Sequence, residues 1–147
     1  METKDMFSKA RIKFDLKANS KDDVIDELIE VLYEDGKVTN KDELKKAVIK
    51  REEEFSTGIG MGIAIPHGKC SAVKEATITF GLSKKGIDYQ SMDDKPAHLF
   101  FLIAVPEESS DVHLRALSEI SRKLMHPEVR EKLYNVNDFE EFIKIFE

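Results

Sequence analysis

Leu99–Pro106 reads LFFLIAVP, an apolar run without a polar interruption, closed by proline. A strand with one face in water alternates apolar and polar residues; this run does not, so it reads as a central strand covered on both faces. Pro106 ends it because a proline cannot donate to the ladder. A sheet covered on both sides needs helices before and after it in the chain, and the flanking sequence supplies them. Beyond the loop Glu107 to Ser110, the residues Val112, Leu114, Leu117, Ile120, Ser121 and Leu124 recur at helical spacing. His126-Pro127 ends that helix, Pro127 suits the first turn of the next, and Asn137 or Asp138 caps a last amphipathic segment with Phe139, Phe142, Ile143 and Phe146.

Working back toward the N-terminus, Ala76–Leu82 (ATITFGL) and Ile87–Tyr89 read as two strands joined in a hairpin by Ser83-Lys84-Lys85-Gly86, a polar turn ending in glycine. Asn40 caps a helix whose buried stripe is Leu44, Ala47, Val48 and Phe55, with Arg51 near its end. Ser20 caps an earlier one, with Asp22 and Asp23 in the first turn, an apolar face of Val24, Ile25, Leu28, Ile29 and Leu32, and Asp35-Gly36 as its stop. Arg11–Leu16 alternates, with Ile12, Phe14 and Leu16 on one side, as a half-buried first strand. Helices before, between and after strands predict an α/β protein, a three-layer α/β/α sandwich with a central mixed β-sheet. Residues 1–147 read as one domain, with no internal repeat, low-complexity tract or linker.

A chain of this length buries roughly 70% of its unfolded surface, enough for a core without disulfide or metal. Nine Phe and no Trp predict a core of Phe and Ile. A net charge of −6 and a pI near 5.3 argue against a nucleic-acid partner, which demands a basic face. The lone Cys70 permits no internal disulfide and the N-terminus lacks the apolar core of a signal peptide, so a cytoplasmic location is expected. No apolar run approaches the length of about 18 residues that spans a bilayer, and no direct membrane insertion is expected.

Chemistry concentrates in Arg51–Gly68. Gly58, Gly60 and Gly62 alternate with Ile59, Met61 and Ile63, which permits backbone conformations closed to other residues. Pro66 biases Ile65 to extended geometry and presents His67 at a stiff position, with space beside it at Gly68. A neutral imidazole is a competent nucleophile near pH 7, and a backbone hydrogen bond to its second nitrogen can orient it. Arg51 offers a planar fork of donors suited to a phosphoryl group. An arginine near a helix C-terminus is also favourable simply through the dipole. His113, in a predicted first helical turn, is either a solvated residue or a neutral donor to an anion. His98, His126 and Cys70 read as structural. The glycines match neither GxGxxG nor the P-loop, and the histidines show no zinc spacing, so neither cofactor nor metal is expected.

These residues resemble the enzyme IIA components of the fructose and mannitol class in the bacterial phosphoenolpyruvate-dependent sugar phosphotransferase system. The likeness runs from about Lys9 to Ile145 and is most specific at Arg51-Glu52, Ser56-Thr57-Gly58 and Gly62–Gly68, supported by Leu99–Pro106 and His113–Leu117. It implies that His67 is the phosphorylated residue, with Nε2 as the attacking nitrogen, and that Arg51 and His113 help hold the phosphoryl group. It also implies a histidine phosphocarrier protein, HPr, as donor and an enzyme IIB of a sugar permease as acceptor. Ile59, Met61 and Ile63 read either as an apolar docking rim or as core. The alternative is a regulatory module of the same type, whose phosphorylation state controls a transporter, kinase or transcription factor. An unrelated hydrolase using His67 and Cys70 is the remaining reading.

Overall fold

Capping and turn chemistry set the element boundaries. The computed structural model describes residues 3–108 and 111–147, and the backbone alone for Val112 and His113. Ser109 and Ser110 of the expected loop thus lie outside the described residues. Short 3-10 turns over Thr3–Met6 and Lys9–Arg11 lead into β1 (Ile12–Lys13), α1 (Lys21–Glu34), α2 (Lys41–Glu54), β2 (Gly58–Gly60), β3 (Ile63–Ala64) and β4 (His67–Cys70). Then follow β5 (Thr77–Ile87), β6 (Ala97–Pro106), α3 (Val112–Leu124), α4 (Pro127–Tyr134) and α5 (Phe139–Ile145). The side chains of Ser20, Asn40 and Asp138 each accept from the backbone N–H three residues on, satisfying an otherwise orphaned donor at the start of α1, α2 and α5. Gly36, at φ 74°, follows the end of α1.

The sheet runs β1-β5-β6-β3-β2, and β4 also pairs with β6. It is mixed: β5 and β6 are antiparallel, whereas β3 and β4 run parallel to β6 and β1 parallel to β5. β6 is the central strand that its composition predicts. Phe100, Leu102 and Ala104 pack under α1 and α2, while Leu99, Phe101, Ile103 and Val105 pack under α3, α4 and α5. The apolar face of α1 is almost wholly sealed, and each such Leu, Ile or Val contributes about 1.5–3 kcal/mol by its burial. The three-layer α/β/α arrangement is therefore present.

Four local expectations are corrected. β1 is two residues long, because a 3-10 turn takes Arg11 and the chain bends at Phe14; Leu16 crosses to the α1 side while Ile12 and Phe14 stay on the other. The expected hairpin within 76–89 is a single strand, β5. Ser83 Oγ accepts from the Gly86 N–H at 3.2 Å and Gly86 takes φ 87°, which absorbs the polar residues as an irregularity instead of a reversal. Phe55 is 61% exposed, and Glu52 occupies the buried stripe in its place. Leu114 projects outward, leaving Ala116, Ile120 and Leu124 as the buried face of α3.

Candidate functional site

His67 opens β4, and its register places it opposite Ile103 on β6. The Ile103 N–H donates to the Pro66 carbonyl at 3.0 Å, so the residue before the histidine is tied to the central strand. Gly68 explains why α2 lies against this segment. A Cβ there would meet Val48 Cγ2 at 3.0 Å, Leu44 Cδ1 at 3.2 Å and Ala47 Cβ at 3.3 Å. Strand alternation then turns the His67 side chain toward the opposite face of the sheet, the one α3 covers.

The half-buried imidazole is oriented by the chain that precedes it. Nδ1 lies 2.9 Å from the Ile65 carbonyl oxygen, and since a carbonyl only accepts, Nδ1 carries the proton. In the neutral ring the lone pair is therefore on Nε2. Burial lowers the ring's affinity for a proton below the ordinary value of 6.5, and the nearby Arg51 guanidinium lowers it further; the Ile65 hydrogen bond, Glu52 and Glu54 act the other way. Such a site keeps the imidazole neutral at pH 7.

Arg51 sits in the last turn of α2, where one guanidinium nitrogen donates to the Phe55 carbonyl at 3.0 Å and the group stacks 4.6 Å over the Phe55 ring. This contact gives the exposed Phe55 a use that its helical spacing did not suggest. His113 is the second residue of α3, in its first turn; its side chain lies outside the described residues. Arg51 is thus near enough to His67 to lower the ring's proton affinity.

The glycine segment is a β2–β3 hairpin whose tip holds three successive positive φ values: Gly60 97°, Met61 58° and Gly62 79°. Asp93 secures the tip, accepting from the Met61 N–H at 3.0 Å and from the Lys95 N–H at 3.1 Å, and these bonds hold its carboxyl below the usual range. Ile63 is core, whereas Ile59 and Met61 are exposed, so two of the three residues read as an apolar rim lie at the surface.

The residues read as structural lie in the following surroundings. His98 Nδ1 contacts the Ser83 carbonyl at 2.8 Å and packs edge-on to Tyr134, and His126 is the N-cap of α4, 3.6 Å from Glu128. Cys70 is buried in the α1–α2 core, where burial pushes its thiol up, away from the reactive thiolate. Sequence reading missed the buried group at the end of α2. Glu52 receives Lys21, the Thr57 N–H and hydroxyl, and the Tyr89 hydroxyl. Burial, with Glu52 beside it, pushes the Tyr89 phenol up, so it remains a donor. The signal lay in the spacing Leu44, Val48, Glu52, an acid in line with a buried stripe.

Exposed Asp22, Asp23 and Asp26 bring carboxylate oxygens within 4.8 Å of one another, but Lys45 already lies 3.1 Å from Asp22 and 2.9 Å from Asp26. Among the described residues, no helix is long and apolar enough to cross a membrane.

Comparison with known proteins matches residues 5–147 to the family model described as phosphoenolpyruvate-dependent sugar phosphotransferase system, EIIA 2. The chain is 42% identical over 145 residues to the PTS system fructose-specific EIIABC component of Bacillus subtilis, covering 99% of this chain and 23% of that protein. It is 46% identical over 114 residues to the PTS system fructose-specific EIIA component of Haloferax volcanii, covering 78% of this chain and 74% of the relative. Among solved structures, nitrogen regulatory protein IIA-Ntr from Neisseria meningitidis superposes with a TM-score of 0.90 at 30% identity, covering 98% of each chain.

Proposed function

The chain belongs to the EIIA type 2 family of the phosphoenolpyruvate-dependent sugar phosphotransferase system and is a phosphotransferase component, and from that premise we propose a cytoplasmic phosphocarrier that accepts phosphoryl on His67. Residues 1–147 act as one domain of this type. Phospho-HPr is the donor and a cognate enzyme IIB the acceptor. The relatives named fructose-specific support a sugar of the fructose and mannitol class, and the Bacillus protein, named EIIABC, supports an enzyme IIB as the next carrier.

One observation carries this reading: the Nδ1 contact with the Ile65 carbonyl at 2.9 Å, which fixes the ring with its lone pair on Nε2. In the transfer, that lone pair attacks phosphorus, the Nε2–P bond forms, and the donor's N–P bond breaks with its electron pair returning to the donor's ring nitrogen. The proton stays on Nδ1, where the Ile65 carbonyl offsets the positive charge the ring gains. The Arg51 guanidinium, one of whose five N–H donors serves Phe55, supplies the cationic fork for the phosphoryl oxygens. His113, carried at the positive end of α3, is the second group holding them. Positioning and charge stabilisation are most of what phosphoryl transfer requires.

Incubation with phosphoenolpyruvate, enzyme I and HPr, followed by mapping of the acid-labile phosphate, tests the proposal. Label on His67 that disappears in His67→Ala is expected; label elsewhere, or undiminished in that variant, overturns it.

The Neisseria likeness favours a second reading, in which phosphorylation of His67 switches affinity for a regulator without onward transfer. Rapid transfer to an enzyme IIB supports the carrier; a stable phospho-form captured by a transporter, kinase or transcription factor supports the switch.

A further inference from the structure

Glu52 is an anomaly for a residue that only stabilises. Its side chain is 4% exposed, it carries an acid into the last turn of a helix, where the dipole disfavours negative charge, and it fills a position whose spacing suits an apolar residue. A well-packed leucine would serve stability at least as well.

What the carboxylate does is hold Thr57. Oε1 lies 2.9 Å from Lys21 Nζ and accepts the Thr57 N–H at 3.1 Å; Oε2 accepts the Thr57 hydroxyl and the Tyr89 hydroxyl, the latter at 3.2 Å. Lys21 also lies 4.7 Å above the Tyr89 ring, which closes the cluster. The Thr57 carbonyl in turn accepts the Ile65 N–H at 3.0 Å, and the Ile65 carbonyl is the group 2.9 Å from His67 Nδ1. A continuous path of hydrogen bonds and the backbones of two residues, Thr57 and Ile65, therefore joins a buried ion pair to the imidazole. It bypasses the glycines of the hairpin tip by clamping the hairpin at its base.

We propose that Glu52 is a positioning residue for His67: by anchoring Thr57 it fixes Ile65, whose carbonyl selects the tautomer and aim of the imidazole. The proposal rests on His67 as phosphoryl acceptor for its catalytic consequence, but not for its effect on the ring. Glu52→Gln keeps the shape while turning one acceptor oxygen into an NH₂ that faces a donor. Thr57→Val removes the hydroxyl, and Thr57→Ser retains it.

Two readouts are paired: nitrogen-15 NMR of the His67 imidazole, which distinguishes the Nδ1–H from the Nε2–H tautomer, and the rate of phosphoryl acceptance from phospho-HPr. Ile25→Val, which thins the core beneath α1, reports the effect of lost stability alone. Glu52→Gln and Thr57→Val are expected to mix the tautomers and slow acceptance about ten- to a hundred-fold, with Thr57→Ser close to the unmodified protein. Should Glu52→Gln fail to fold, the Thr57→Val and Thr57→Ser pair carries the same test. A single Nδ1–H tautomer and an unchanged rate in folded Glu52→Gln or Thr57→Val, with only the melting temperature lowered as in Ile25→Val, overturn the positioning role and leave His67 as acceptor intact. Absence of phosphate on His67 in the unmodified protein overturns the acceptor reading instead, and the NMR comparison still decides whether Glu52 orders the ring.

Discussion

The two layers covering β6 are built on different principles. On one side α1 and α2 ride directly on glycines: a Cβ at Gly68 would press on Val48, Leu44 and Ala47, and one at Gly81 would lie 2.8 Å from Leu16 and 2.9 Å from Leu28. On the other side the space beneath α3, α4 and α5 is filled by rings, with Phe101 near Phe80 at 5.0 Å and Phe146 at 5.8 Å, and Phe142 near Phe7 at 5.0 Å and Phe80 at 4.8 Å. Close approach fixes where a helix sits, and ring volume fixes how much stability its burial yields. The end of α2 has to be placed accurately, because it brings Arg51 and Glu52 to the level of His67.

The largest test of this contrast is Phe101→Ala. Removing a fully buried ring is expected to cost about 3–5 kcal/mol, read from the urea midpoint, while the folded fraction keeps its rate of phosphoryl acceptance. Gly68→Ala is expected to cost less, about 1–3 kcal/mol, yet to slow acceptance, because stiff Val48 and Ala47 cannot move aside without shifting α2. Gly81→Ala sharpens the point: the atoms it meets are the flexible ends of Leu16 and Leu28, so a cost of about 1 kcal/mol and an unchanged rate are expected. If Gly68→Ala and Gly81→Ala slow acceptance equally, helix placement is not what the glycines provide.

The smallest effect concerns pH. The His67 ring binds its proton less readily folded than unfolded, so the unfolded state takes up more protons as pH falls below about 6.5. The stability this contributes is complete above that value and is lost as pH falls through the lower folded value. Urea midpoints measured from pH 8 to pH 5 in the intact protein and in His67→Ala should diverge below about 6.5, with the variant less sensitive to acid.

The sandwich was legible because its strongest signals are local. An unbroken apolar run of strand length, closed by Pro106, reads as a doubly covered strand, and Ser20, Asn40 and Pro127 mark helix starts by chemistry that acts within one turn. Reading failed where neighbours far along the chain decide. Ser83–Gly86 has the composition of a turn, but Lys84 and Tyr134 exchange hydrogen bonds of 2.8 Å, which tie the segment to α4 and keep it extended. Phe55 lost its place in the stripe to Glu52, because the donors that make a buried acid tolerable come from residues 21, 57 and 89. Of the proposed site, His67 and Arg51 are singled out from Arg51–Gly68 alone; the contacts of Glu52 behind them are not, since only the folded backbone brings Thr57 beside Ile65.

The outermost strands of the sheet, β1 and β2, offer two and three residues of ladder, and β4 runs for only four with Lys69 projecting from it. A foreign strand seeking backbone partners would find too few rungs to hold. Adhesion by strand addition, among copies or with strangers, is thereby discouraged, and encounters with other macromolecules are left to the side chains of the surface.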